Sequence, residues 1–161
     1  DTKTVGLLFC SAEPNSRYQI EEVAKYLADK GIESKEFAFT DTNDVTAVTQ
    51  AAADYADVIY IPTDNTAAAN TEAIANVLIP AKVPAICGEE GICSGCGVAT
   101  LSISYYDLGV TTGKMAAKIL TGETDISKMP IEYTSATKKY NASMCDALGI
   151  KPLDGYTAIG E

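Results

Sequence analysis

The feature that most constrains this chain is a repeated alternation of apolar strand-like runs and helical patterns, joined by connections of a few residues. Val5-Gly6-Leu7-Leu8-Phe9-Cys10 is a continuous apolar run, as a central parallel strand buried on both faces requires. From about Pro14 the apolar residues Ile20, Val23, Ala24 and Leu27 follow helical spacing, and the pattern stops at Lys30-Gly31. Glu33–Phe39 is a more mixed strand and belongs nearer an edge. Asn43 and Asp44 offer a cap, and Val48, Ala51, Ala52 and Tyr55 then repeat at helical spacing. Val58–Ile61 is a short apolar strand closed by Pro62. Ile74, Val77 and Leu78 mark one helical face that stops near Pro80. Pro84–Cys87 and Val98–Ser102 read as two further strands. A helix with Leu108, Met115, Ala116 and Ile119 inward is expected next, closed by Thr121-Gly122. An extended piece at Ile131–Thr134 and a last helix over about Thr137–Leu148, ended by Gly149, complete the pattern.

Strand–helix alternation with right-handed crossovers gives a parallel sheet with helices on both faces. The expected fold is therefore α/β: a three-layer, doubly wound parallel sheet of about five strands in the order 2-1-3-4-5. The 161 residues, 47% of them hydrophobic, suffice for one domain with a real core, and no linker or repeat divides the span 1–161.

Ligands of such sheets bind outside the carboxyl ends of the strands. Four polar turns fall on that edge: Ser11–Ser16, Thr63–Thr66, Gly88–Gly91 and Ser104–Asp107. In the first, Pro14 suits the opening position of a helix, so the amides of Asn15 and Ser16 point outward and could hold a carboxylate or phosphate. Ser11 or Glu13 could equally be a plain cap, Asp64 could cap its own helix, and Glu89-Glu90 could be a solvated loop. Four such turns on one edge outweigh any one of them read as a cap. A free amino acid would place its carboxylate on the helix N-terminus, its ammonium near Asp64, Glu89 or Glu90, and its side chain against Tyr105 or Tyr106.

Composition excludes several alternatives. The net charge of −10 and the absence of any basic cluster argue against nucleic acid and anionic membranes. There is no histidine, hence neither the usual general base nor the commonest metal ligand. No G-x-G-x-x-G, G-x-S-x-G or glycine-bearing phosphate loop is present. A receiver domain would need adjacent acids after the first strand and a lysine after the fifth; the chain offers Glu13 and no such lysine. Of the five cysteines, Cys10 and Cys87 read as small core residues. Cys93-Ser94-Gly95-Cys96 could be a redox pair, half a zinc site or a loop staple. Zinc would need further ligands from Cys145 or carboxylates, and the pair reads as two ordinary loop cysteines, disulfide-linked or not. No nucleophile–base pair is evident, so a binding protein without cofactor, not an enzyme, is expected. No signal peptide or membrane-length apolar run is visible, and the abrupt start at Asp1 reads as a mature or trimmed N-terminus.

The same residues carry a family likeness. Ser11-Ala12-Glu13-Pro14-Asn15-Ser16, Ile61-Pro62-Thr63-Asp64-Asn65, Gly88-Glu89-Glu90-Gly91 and Ile103-Ser104-Tyr105-Tyr106-Asp107-Leu108-Gly109, in this order, resemble the ABC-transporter substrate-binding proteins of the TrpX type. These in turn resemble the type I periplasmic binding proteins. The resemblance runs from about Thr4 to Pro152 and covers one lobe, on the C-terminal side, of a two-lobed receptor. It implies that the partner lobe is absent from this chain, which would then be a trimmed or proteolytic fragment. It further implies an extracytoplasmic solute receptor, periplasmic or lipid-anchored, serving a membrane permease, with an aromatic or other hydrophobic amino acid as solute. By motif position, Asn15 and Ser16 would hold the carboxylate, Asp64 and Asn65 the polar end, and Glu89 and Tyr105 the cleft wall, with Glu13 beside them. Cys93 and Cys96 depart from the polar residues expected there. A sugar or nucleoside receptor lobe is the alternative solute class. A flavodoxin-like or receiver-type signalling domain is the alternative outside binding proteins.

Overall fold

The computed structural model describes residues 2–160. The strands are β1 (Thr4–Cys10), β2 (Glu33–Phe39), β3 (Val58–Ile61), β4 (Ala85–Cys87), β5 (Ala99–Ile103), β6 (Ala136–Tyr140) and β7 (Thr157–Ala158). They form one sheet in the order β2-β1-β3-β4-β5-β6-β7. The first five pair in parallel, as expected, in the order 2-1-3-4-5. The sheet then continues: β6 joins β5 antiparallel and β7 joins β6 in parallel. The helix expected from Thr137 thus starts later. Thr137–Tyr140 is strand, and the helix α7 is Ala142–Leu148, capped by Asn141, whose side chain accepts from the Met144 amide.

The other helices are α1 (Pro14–Asp29), α2 (Val45–Tyr55), α3 (Asn65–Ala69), α4 (Thr71–Ala81), α5 (Glu90–Cys96) and α6 (Tyr105–Leu120). Where one helix was expected before Pro80 there are two. Asn70 breaks the run, and α4 ends at Lys82 in the left-handed region (φ 58°). The Cys93–Cys96 stretch, expected as loop, is helix. Glu89 accepts hydrogen bonds from the Gly91 and Ile92 amides at the start of α5, which satisfies donors the helix cannot use itself.

The main core lies between one sheet face and α2, α3, α4 and α5. It holds Leu8, Phe39, Ile59, Ile61, Ile74 and Leu78, all fully buried or nearly so. A smaller core lies under α1 on the opposite face, around Leu7, Phe9 and Ile20. All five cysteines are free and buried. Hydrogen bonding to Cys93 and Cys96, then burial, pushes the Cys87 thiol well up. Such thiols are poor nucleophiles and pack as core residues.

α6 differs from expectation more sharply. Leu108, Met115, Ala116 and Ile119 do not face into this domain, and no residue of α6 is buried. The helix leaves the sheet edge instead of lying back on it. The two turns that frame the site are drawn together at Gly88. A Cβ there would come within 2.7 Å of the Thr63 amide nitrogen and 2.9 Å of the Pro62 carbonyl carbon. Only a residue without a side chain lets β4 pass so close to the end of β3. Gly88→Ala is expected to lower stability by about 1–3 kcal/mol in urea unfolding, the usual cost of overpacking, with the denaturant slope unchanged.

Candidate functional site

The carboxyl ends of β1, β3, β4 and β5 meet as predicted, but the polar groups there are divided between two tasks. Asp64 is 2% exposed. Its Oδ2 accepts from the Cys10 amide at 2.7 Å and its Oδ1 from the Ala67 amide at 2.8 Å. One carboxylate therefore ties the last residue of β1 to the first turn of α3. Glu13 does the reciprocal work from the other side. Its Oε2 accepts from the backbone and side-chain nitrogens of Asn65, both at 2.9 Å. Its Oε1 accepts from the Thr66 amide at 2.9 Å and the Thr66 hydroxyl at 3.0 Å. Burial raises the Glu13 pKa, but the four hydrogen bonds outweigh it and hold the carboxyl below the ordinary glutamate range.

Asn15 and Ser16 are also used internally. Asn15 Nδ2 donates to the Thr63 carbonyl at 2.9 Å, and Ser16 Oγ donates to the same oxygen at 3.2 Å. The Thr63 amide donates to Gln19 Oε1 at 3.0 Å. The first turns of α1 thus grip both ends of the Thr63 residue. Gln19 escaped the sequence reading. The available signal was its position one turn beyond Asn15 on the same helix face. Because Glu13 reaches across to α3, no side chain caps α1 itself.

What remains open is a cleft of about 450 Å³ lined by Thr63, Asp64, Asn65, Ala68, Glu89, Gly91 and Tyr105. Four of the seven residues predicted to bind are in its wall: Asp64, Asn65, Glu89 and Tyr105. Glu13, Asn15 and Ser16 stand behind it and shape it. Tyr105 opens α6 and is 57% exposed. Partial burial, then the Glu89 charge, raises its phenol pKa. Glu90 turns away from the cleft: its amide donates to Ser102 Oγ at 3.1 Å, and its carboxylate pairs with Lys139 of β6 at 2.8 Å. Tyr106 is 80% exposed and does not line the cleft. Among the described residues no group of His, Cys, Asp or Glu is placed to hold a metal ion. None of the described helices is long and apolar enough to cross a membrane.

The carboxyl edge of the doubly wound sheet thus carries an open cleft walled by an acid, an amide and a tyrosine. Residues 1–153 match the family model described as ABC transporter substrate binding protein, and the chain belongs to that family. Its members bind substrates and do not transform them, so the chain is a binding protein and not an enzyme. A "Tyrosine-binding protein" of Clostridioides difficile (strain R20291) is 26% identical over 136 residues, 84% of this chain and 39% of that protein. The structure of an ABC domain from Streptococcus pneumonia in complex with L-Trp superimposes with a TM-score of 0.86 at 28% identity, over 97% of this chain and 55% of that one. A ligand-free, open substrate-binding protein with adhesive properties from Clostridium difficile gives a TM-score of 0.80 at 28% identity, over 99% and 55%. The chain thus spans about two fifths to just over half the length of these relatives. Family membership decides against a flavodoxin-like or receiver-type signalling domain.

Two predictions follow from the division of labour. Asp64→Ala leaves the Cys10 and Ala67 amides without their acceptor and is expected to cost about 2–4 kcal/mol in urea unfolding. Glu13→Gln is expected to be milder and pH-dependent. The folded-state pKa of Glu13 is depressed, so its carboxylate stabilises the fold above the ordinary glutamate value near 4.5. That contribution fades as pH falls through the lower, folded value. Between pH 7 and 3 the variant should therefore lose less stability than the wild type, read from melting temperatures across that range.

Proposed function

We propose that this chain is one lobe of an extracytoplasmic receptor that presents an amino acid, most favourably an aromatic one, to a membrane permease for import. The observation that carries this reading is the composition of the cleft wall. Glu89 and Tyr105 lie side by side at the mouth, and the cleft is open enough for a solute. Both Glu89 oxygens already accept from α5 amides, yet a carboxylate has about four acceptor positions. It therefore keeps capacity for an ammonium group. Tyr105 offers a ring face to an aromatic side chain. The tyrosine- and tryptophan-binding relatives support the same solute class.

The receptor acts with a second lobe of the same protein, which closes over the cleft. α6 supports this. It carries a groove of about 300 Å³ lined by Met115, Ile119, Ile126, Met129 and Ile131, among others. Ile131 is 91% and Ile126 73% exposed. Those apolar side chains fit a lobe packed from the far side of the cleft. A lipid anchor or a periplasmic location would each keep such a receptor near its permease. A sugar or nucleoside as solute is the competing reading, since asparagine and carboxylate groups also hold hydroxyls.

A titration of the ¹⁵N-labelled chain with Phe, Tyr, Trp, Leu and ribose tests this. Shifts at the amides of Asn65, Glu89, Gly91 and Tyr105 with an aromatic amino acid, in the millimolar range of half a cleft, are expected. Tyr105→Ala should then weaken binding by about tenfold, the loss of roughly 1.4 kcal/mol of aromatic contact. Shifts at this edge with ribose and none with the amino acids would overturn the amino-acid assignment.

A further inference from the structure

The five thiols are not equivalent. Three donate to a backbone carbonyl: Cys10 to Thr40 at 3.6 Å, Cys96 to Ile92 at 3.4 Å and Cys145 to Val98 at 3.7 Å. Among the described residues the other two thiols, those of Cys87 and Cys93, have no backbone acceptor. They lie together. Cys87 is the last residue of β4, and Cys93 is in the middle of α5, which packs on that strand. Both are buried, at 1% and 0% exposure. Gly97 shows how close the Cys87 sulfur comes. Its φ of −101° is one that any residue adopts, so conformation does not demand glycine there. Space does: a Cβ on Gly97 would collide with Cys87 Sγ and stand 3.1 Å from Cys93 Cα. The sulfur of Cys87 thus fills the side-chain place of Gly97, beside the Cys93 backbone. Its polar partners there are the Cys93 thiol and, after it, the Cys96 thiol.

We propose that Cys87 and Cys93 are a disulfide-forming pair whose bridge fixes the turn carrying Glu89. The step is an exchange with an organic disulfide of the glutathione type, a class of oxidant that prevails outside the cytoplasm. Two S–H bonds break and one S–S bond forms between Cys87 and Cys93. The oxidant takes up the two electrons and two protons and leaves as two thiols. Cys96 is the less suited partner, since its thiol is turned back on its own helix to Ile92. The bridge removes two buried donors that lack a backbone acceptor, so forming it sacrifices no thiol–carbonyl bond. The closed fold shields both sulfurs, and exchange therefore waits for brief opening of α5, a helix of seven residues. The ring so closed spans Gly88, Glu89, Glu90, Gly91 and Ile92. That segment holds Glu89 and the two amides it caps. The redox state of the pair therefore sets how firmly the acid of the cleft wall is held. The inference concerns the chain's own thiols and stands whichever solute the cleft takes.

Peptide mapping tests it. The reduced, folded chain is incubated with oxidised glutathione. Free thiols are then blocked with iodoacetamide in denaturant, and the chain is cut with a glutamate-specific protease. Cleavage after Glu89 or Glu90 separates Cys87 from Cys93, and no glutamate lies between Cys93 and Cys96. The expected product is two peptides joined through Cys87 and Cys93, with Cys10, Cys96 and Cys145 blocked. Cys96→Ala should keep the joined pair and Cys93→Ala should lose it. In amide spectra of the ¹⁵N-labelled chain, oxidation should shift Glu89, Gly91 and Ile92 and slow hydrogen exchange at Gly91 and Ile92 by about tenfold. Dithiothreitol should reverse both. All five cysteines blocked after incubation would overturn the proposal. So would a link between Cys93 and Cys96, which leaves the peptides unjoined, or a joined pair that survives Cys93→Ala. An unmoved Glu89 amide in the oxidised chain would overturn the link to the cleft.

Discussion

The buried carboxylate of Asp64 is the interaction on which the binding edge depends. It holds the end of β1 through the Cys10 amide and the start of α3 through the Ala67 amide. A charge taken out of water survives only where donors replace the lost hydration, and here two amides do so in a fixed geometry. Everything above the sheet is then positioned relative to that point. α3 follows Asp64, Glu13 locks onto the same helix start through Asn65 and Thr66, and Asn15, Ser16 and Gln19 seize Thr63 next to it. Two adjacent strand ends and two helix starts become one rigid unit.

That rigidity bears on recognition. A solute meets a surface whose shape is already set, so binding does not have to order the loops that form it. The side chains that line the open cleft are few: among them the open side of Glu89, the phenol ring of Tyr105 and the wall at Asn65.

The first five strands and their order were legible because Val5–Cys10, Val58–Ile61 and Pro84–Cys87 carry unbroken apolar character between clear turn signals. The last two strands were not. Ala136–Tyr140 holds two lysines, one neutralised by Glu90 on the far side of β5, and a strand of this composition has no apolar alternation to read. α5 was hidden by Gly91, Gly95 and Gly97, which signal loop. It forms because Glu89 caps its start and because Asn141 Nδ2, remote in sequence, donates to the carbonyls of Cys93 and Ser94 at 2.9 Å each. The apolar stripe of α6 was seen correctly, but a stripe does not say which body it faces. The same holds for the site. The residue types at the strand ends were identifiable, whereas their roles rest on contacts made across more than forty residues, such as Glu13 with Thr66 and Ser16 with Thr63. A polar turn reads alike whether it touches a solute or braces its neighbour.

The central claim is that Asp64 and Glu13 brace the cleft while Asn65, Glu89 and Tyr105 face its contents. A crystal structure of the chain soaked with L-tyrosine measures this most directly. Solute density is expected against Glu89 and Tyr105, with the Asp64 bonds to the Cys10 and Ala67 amides and the Glu13 bonds to Asn65 and Thr66 unchanged. A solute ammonium seated on Asp64 or Glu13, with those amide bonds broken to receive it, would contradict it.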